Sequence, residues 1–292
     1  MAHIDLITLN LFIAVAEEES LAKAAEREHL VASAISKRLA DVESNLNVRL
    51  FERKSNGMFL TTAGMAFLRH ARLITHNVSE LESELRDFSE GVCGTIRIFA
   101  NGTAITSYLP ENLKTFFARY PKVRVELEES MTVNTLRAIS NNEADIGIYG
   151  DVSAPADLTL FEYRVDRLAL LVPIEHVLAQ KRSVRFVDTL EFSYIGSPRG
   201  SSIDTVLARA SSDLGVSLKM SIRTTGFAAI SCMVAAGLGI AVVPHRVAEM
   251  YEKRGVKVLA LDEQWAQRRL MICVRNLNSL TPAASAFLGH IL

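Results

Sequence analysis

Between residues 32 and 38, short side chains precede two cations: Ala32, Ser33, Ser36, Lys37 and Arg38. On one exposed helix face, the short residues let the backbone approach base edges while the cations reach flanking phosphates. That combination suits a major groove. A second cationic pair, Arg53 and Lys54, precedes Asn56-Gly57, and short apolar runs flank the dipeptide. This is a strong hairpin signal. The hairpin forms a wing whose cations can touch backbone phosphate or a minor groove. The plain alternative for Lys37 and Arg38 is a solvated helix face, and on charge alone the two readings weigh equally.

Two later loops carry hydroxyls: Asn101-Gly102-Thr103-Ala104 and Ser197-Pro198-Arg199-Gly200-Ser201-Ser202. Each is expected to follow a strand. Thr132 and Thr225 are expected at the ends of later strands, facing the same cleft. In doubly wound sheets ligands bind beyond the carboxyl ends of strands, at helix N-termini. Hydroxyls, free backbone N–H groups and Arg199 suit a carboxylate or another anion there. Each hydroxyl can equally cap a helix, and Thr103 or Ser201 can do both. A surface location for Arg199 has as strong a claim as a ligand contact.

Catalytic, metal and cofactor patterns are missing. Gly196-Ser197-Pro198-Arg199-Gly200 is not a nucleophile elbow, and Gly237-Leu238-Gly239 lacks the third glycine of a dinucleotide fingerprint. The 7 histidines have no metal-binding spacing; His70 and His76 share no helix face. Cys93, Cys232 and Cys273 are scattered, with no CxxC pair, as expected of free thiols in a reducing compartment. Cys232 lies in an apolar helical stretch and reads as a small core residue.

The positioning elements follow from periodicity. Leu9, Phe12, Ile13 and Ala16 mark one buried helix face. Ser20 is a good N-cap for a short helix with Leu21, Ala24 and Ala25, whose small side chains let helices cross closely. A third helix is expected from Val31 to Leu46, with Ile35, Leu39, Val42 and Leu46 buried. After the hairpin, Thr61 or Thr62 caps a long helix. Along it Phe67, Ala71, Ile74, Val78, Leu81, Leu85 and Phe88 alternate spacings of four and three. That is a coiled-coil seam, which pairs with the same helix of a second subunit or packs on the chain's own later domain. Strands and helices then alternate. The expected strands are Thr95–Ala100, Lys122–Leu127 and Ala144–Gly150, with helices at Ser107–Tyr120 and Thr132–Asn141. A similar unit recurs from Phe192 to Val243. This order implies a largely parallel, doubly wound α/β architecture in two lobes.

The run from Leu9 to Gly64 resembles the N-terminal module of LysR-type transcriptional regulators. The resemblance rests on Phe12, Val15, Ser20, Ala24-Ala25, Ser33, Ser36, Leu39, Glu43, Leu46, Val48, Leu50-Phe51-Glu52-Arg53, Leu60-Thr61 and Gly64. Glu28, Val31 and Ala32 depart from the family pattern. The last two remove a common capping hydroxyl and a base-reading side chain. Leu109-Pro110, Asn142–Ile148 and Ala235–Pro244 resemble the family's sensor, whose fold is like that of periplasmic binding proteins. The resemblance implies a winged helix-turn-helix over 1–64, a dimerising linker helix over 65–90 and an effector-binding domain over 91–292. Lobe I would take about 91–162 and 268–292, and lobe II about 163–267. It also implies double-stranded operator DNA, a small-molecule effector between the lobes, a homo-oligomer (often a dimer of dimers) and RNA polymerase as partners.

The net charge of −1 does not announce nucleic-acid binding. In residues 1–30 the acids Asp5, Glu17, Glu18, Glu19, Glu26 and Glu28 outweigh Lys23 and Arg27. The basic excess comes after residue 31, so only that half can face DNA. A metabolic enzyme repressing its own operon is a competing reading, opposed by the missing catalytic motifs. A transported solute receptor is another, opposed by the absence of a signal pattern at the N-terminus. The most apolar stretch, Ala228–Pro244, is too short to span a bilayer, and a cytoplasmic location is expected.

Overall fold

A computed structural model describes residues 4–54, 57–90, 92–150, 154–252 and 254–292. Asn56 at the expected hairpin tip and the side chain of Phe88 lie outside the described residues. The chain divides into two compact units: Met1–Gly91 with Asn141–Glu143, and Val92–Ser140 with Ala144–Leu292.

The first unit holds α1 (Leu6–Glu18), α2 (Leu21–Arg27), α3 (Ala32–Leu46), β1 (Phe51–Lys54), β2 (Gly57–Leu60) and α4 (Thr62–Glu90). Asp5 caps α1 and Ser20 caps α2, each accepting a backbone N–H three residues on. Ala24 and Ala25 are buried where α2 meets its neighbours, beside Phe12, Ile35 and Leu39. The helix α3 begins without a side-chain cap at Val31, as the missing hydroxyl predicts. Leu46 departs from expectation. It is 40% exposed, because α3 ends there and Asn47 turns the chain with φ 51.

β1 and β2 pair antiparallel, Phe51 opposite Leu60 and Lys54 opposite Gly57. Thr61 caps α4, accepting from Gly64 N–H at 2.9 Å. Gly64 is required here: a Cβ would lie 2.0 Å from the Leu50 carbonyl oxygen. On α4, Phe67 rests on Phe12 with ring centroids 4.5 Å apart, and Ala71 is buried. Phe67 is therefore occupied by its own module's core, a correction to its place on the expected seam. The exposed part begins at Ile74, and Leu81 and Leu85 are more than half exposed.

The second unit begins with β3 (Gly94–Ala100), α5 (Gly102–Ser107), α6 (Leu109–Arg119), β4 (Val123–Glu129), α7 (Thr132–Ser140) and β5 (Ile146–Gly150). The helix expected over Ser107–Tyr120 is α6, with Pro110 in its first turn; the short helix α5 before it, separated from it at Tyr108, is not expected from the sequence. The chain continues through β6 (Thr159–Pro173), β7 (Ser183–Val184), β8 (Tyr194–Gly196), α8 (Ser202–Asp213), β9 (Met220–Arg223), α9 (Phe227–Ala235) and β10 (Ala241–Pro244). Last come α10 (His245–Tyr251), β11 (Val256–Leu261), β12 (Gln267–Val274) and α11 (Pro282–Ile291).

β3 pairs parallel with β4 and β5, the arrangement predicted from the alternation of strands and helices. β12 adds antiparallel to β5. The 15-residue strand β6 is shared. Its first half pairs with β12, and its second half pairs antiparallel with β10 and β11. One lobe packs around Ile98, Phe116, Ile146, Leu270 and Phe287, the other around Leu170, Phe186, Tyr194 and Ile240. β6 and β12 thus carry the chain between lobes. Cys232 corrects the expectation of a core thiol: it is exposed on α9, while Ile230, Ser231 and Val234 are buried.

Candidate functional sites

In the first unit, Ser33, Lys37 and Arg38 are exposed on α3, and Ala32 and Ser36 are half-buried. The wing is tied to this helix. Arg53 Nη2 donates to Ser36 Oγ at 2.8 Å. Glu43, on α3, accepts the N–H groups of Leu50 and Phe51 at 2.7 and 3.0 Å. The Met58 N–H donates to the Glu19 carbonyl at 2.8 Å, pinning β2 to the end of α1. Helix and hairpin form one surface because these bonds fix their register.

The cations on that surface differ. Lys37 has no ion-pair or hydrogen-bond partner among the described residues. Lys54 lies 3.6 Å from Glu52 and over the Phe59 ring at 5.2 Å. Arg38 pairs with Asp5 at 3.0 Å. A surface ion pair of this kind contributes little stability, so these residues stay available to a polyanion.

In the second unit the two hydroxyl loops meet through a residue that sequence reasoning used only as a landmark. Arg268, on β12, donates from Nη2 to Thr103 Oγ1 at 2.7 Å and from Nη1 to Ser202 Oγ at 2.9 Å. Its Nε and Nη2 both donate to Asp166 Oδ2, at 2.9 and 2.7 Å. The two charged side chains are 6% and 1% exposed. One guanidinium thereby touches a hydroxyl from each lobe while a carboxylate on the crossing strand β6 holds its inner edge. Tyr108 reaches Asp166 Oδ1 at 3.5 Å, and Arg246 lies over the Tyr108 ring at 4.7 Å. Burial, then the Asp166 charge, pushes the Tyr108 phenol up from its usual range.

The remaining loop residues fall into distinct groups. Asn101 Oδ1 accepts the Ala104 N–H at 2.9 Å and caps α5; its Nδ2 is buried without a partner. Ala104 is buried. A Cβ at Gly102 would sit 2.6 Å from Glu129 Oε1, so the Glu129 side chain packs close against this loop. Ser201 caps α8 by accepting the Asp204 N–H at 3.2 Å. Its neighbour Ser202, not Ser201, meets Arg268. Thr132 is buried and opens α7 rather than ending a strand. Ser197 is half-buried, and its carbonyl accepts from Arg223 at 2.9 Å. Arg199 and Thr225 are exposed, and among the described residues neither is hydrogen-bonded to Arg268. Little in the sequence hints at the missed pair: Asp166 stands just before the apolar run Leu168-Ala169-Leu170-Leu171-Val172, but Glu162, Arg164 and Arg167 on the same strand carry charges as well.

Comparison with known proteins places this geometry. Residues 89–292 match the family described as the LysR substrate binding domain, and residues 6–65 match the bacterial regulatory helix-turn-helix protein, lysR family. The chain is 25% identical over 291 residues to the RuBisCO operon transcriptional regulator of Allochromatium vinosum, covering 99% of this chain and 96% of that protein. It is similar to the structure of a full-length OxyR variant from Pseudomonas aeruginosa, with TM-score 0.77 and 20% identity, over 100% of this chain and 95% of that one. It is also similar to full-length CbnR complexed with its target DNA, with TM-score 0.71, 22% identity and 99% coverage of both chains.

Proposed function

The chain belongs to the LysR family of transcriptional regulators, and from that premise we propose which of its residues carry the role. Its relatives are transcriptional regulators rather than enzymes. Ala32, Ser33 and Ser36 approach base edges in a major groove, Lys37 and Arg38 contact phosphates beside it, and Arg53 and Lys54 hold the flanking backbone. The observation that carries this reading is the Arg53–Ser36 bond, which makes wing and helix one surface. CbnR, of the same fold, is seen on its target DNA.

The effector would sit between the lobes at Thr103, Ser202 and Arg268, with the capped loop at Asn101–Ala104 as one wall. A ligand carboxylate or other oxyanion would take over the outer Arg268 N–H groups, while Asp166 keeps the inner edge. Subunits would pair through Ile74, Val78, Leu81 and Leu85 of α4, and two dimers would join as a tetramer. RNA polymerase at the promoter is the further partner. No helix among the described residues is long and apolar enough to cross a membrane. A cytoplasmic location fits a regulator that reads chromosomal DNA.

Genome-wide mapping of DNA crosslinked to the chain tests the proposal. Enrichment at a few promoters, shifted by substitutions at Ser33 or Ser36, is expected. Uniform recovery across the genome would contradict base reading by α3.

A further inference from the structure

Arg38 is gripped by one terminal nitrogen. Nη1 donates to both Asp5 carboxylate oxygens, at 3.2 and 3.0 Å, and to Thr8 Oγ1 at 3.0 Å. Among the described residues, Nε and Nη2 have no partner. Asp5 is itself immobilised, because Oδ1 accepts the Thr8 N–H at 2.7 Å as the cap of α1. The Thr8 side chain and N–H, then Arg38, hold its carboxyl well below the usual range, so it is charged at any physiological pH. A groove of about 490 Å³ is lined by Asp5 and Thr8 at the start of α1 and by Lys37, Arg38, Asp41, Ser44 and Asn45 along α3. Lys37, unpaired, stands beside the Arg38 fork.

We propose that Asp5 is a positioning residue for DNA binding. By clamping Nη1 it presets the open Nε and Nη2 edge of Arg38 to grip one backbone phosphate bidentately in this groove. The proposal rests on the reading of α3 as the recognition helix. Two parallel N–H donors match two oxygens of a phosphate, which a lysine cannot do. An unclamped arginine loses rotamer freedom when it binds, and preorganisation removes that cost. The Asp5 and Asp41 charges repel the incoming phosphate, opposed by Lys37 and Arg38 in a water-facing groove where such repulsion is screened over about 8 Å at physiological salt.

The test is fluorescence anisotropy of the full-length chain on a duplex carrying the region upstream of its own gene, across a salt series. Asp5→Asn keeps a capping side chain and removes the charge. It is expected to weaken binding roughly fivefold, with unfolding temperature unchanged. Arg38→Lys, which keeps the charge and loses the fork, should weaken binding to a similar degree. Arg38→Ala should lower the salt slope by about one. In the Arg38→Ala background, Asp5→Asn should then have no effect. Tighter or unchanged binding by Asp5→Asn overturns the proposal, as does an equal loss in both backgrounds, which would mark Asp5 as a cap alone. If the wild-type chain does not bind the duplex, the recognition-helix reading fails first and this proposal falls with it.

Discussion

Arg53 does two jobs at once, donating to Ser36 while its guanidinium stays on the exposed side of β1. Arg53→Ala should therefore weaken binding to every duplex and flatten the salt slope by about one unit, read by anisotropy in a salt titration. Arg268 poses the opposite problem. Its charge is buried and balanced by a single carboxylate. Arg268→Met leaves Asp166 buried and uncompensated, a loss of roughly 3–5 kcal/mol in chemical denaturation. Changing Asp166→Leu in the same chain should return most of that stability, because no buried charge then remains. The double variant should still fail to respond to any anionic effector.

At the scale of elements, α4 shows how far periodicity reaches. The spacing of four and three correctly marks a continuous apolar stripe, but it cannot say what covers each position. Phe67 and Ala71 turn into the chain's own core, whereas Ile74, Leu81 and Leu85 remain exposed. Leu81→Glu is expected to leave the monomer folded and to shift sedimentation from dimer or tetramer toward monomer at micromolar concentration. The crossing strands β6 and β12 carry a different signal. Burial pushes the Cys273 thiol and the Tyr163 phenol up to about 12. Both groups stay protonated in the fold but ionise earlier in the unfolded chain, at about 8.5 and 10. Their contribution is whole below those values and declines as pH rises toward 12. Thermal unfolding should therefore fall over that alkaline window, and less steeply in Cys273→Ala.

At the scale of the whole molecule, the architecture was legible because its rules are local. Alternating strands and helices, the Asn56-Gly57 dipeptide and the small residues Ala24 and Ala25 each specify a nearby geometry. The proposed effector site was only half legible. Thr103 was visible as a hydroxyl in a loop after a strand. Its partner Arg268 lies 165 residues away, and Asp166 lies 102 residues before Arg268, separations that no periodicity connects. Arg199 and Thr225 look equally suitable by type, and sequence alone does not show that it is Ser202 that bonds to Arg268. The overall charge of −1 also conceals the basic half of the first unit. Binding must therefore come from a few placed cations rather than from a general field. The most direct measurement is the affinity of the purified chain for its own upstream region against a scrambled duplex of equal length, titrated with salt. Tighter binding to the upstream region, falling linearly in log–log form as salt rises, is the predicted result. No binding to either duplex at low ionic strength, with metabolite extract present or absent, would contradict it.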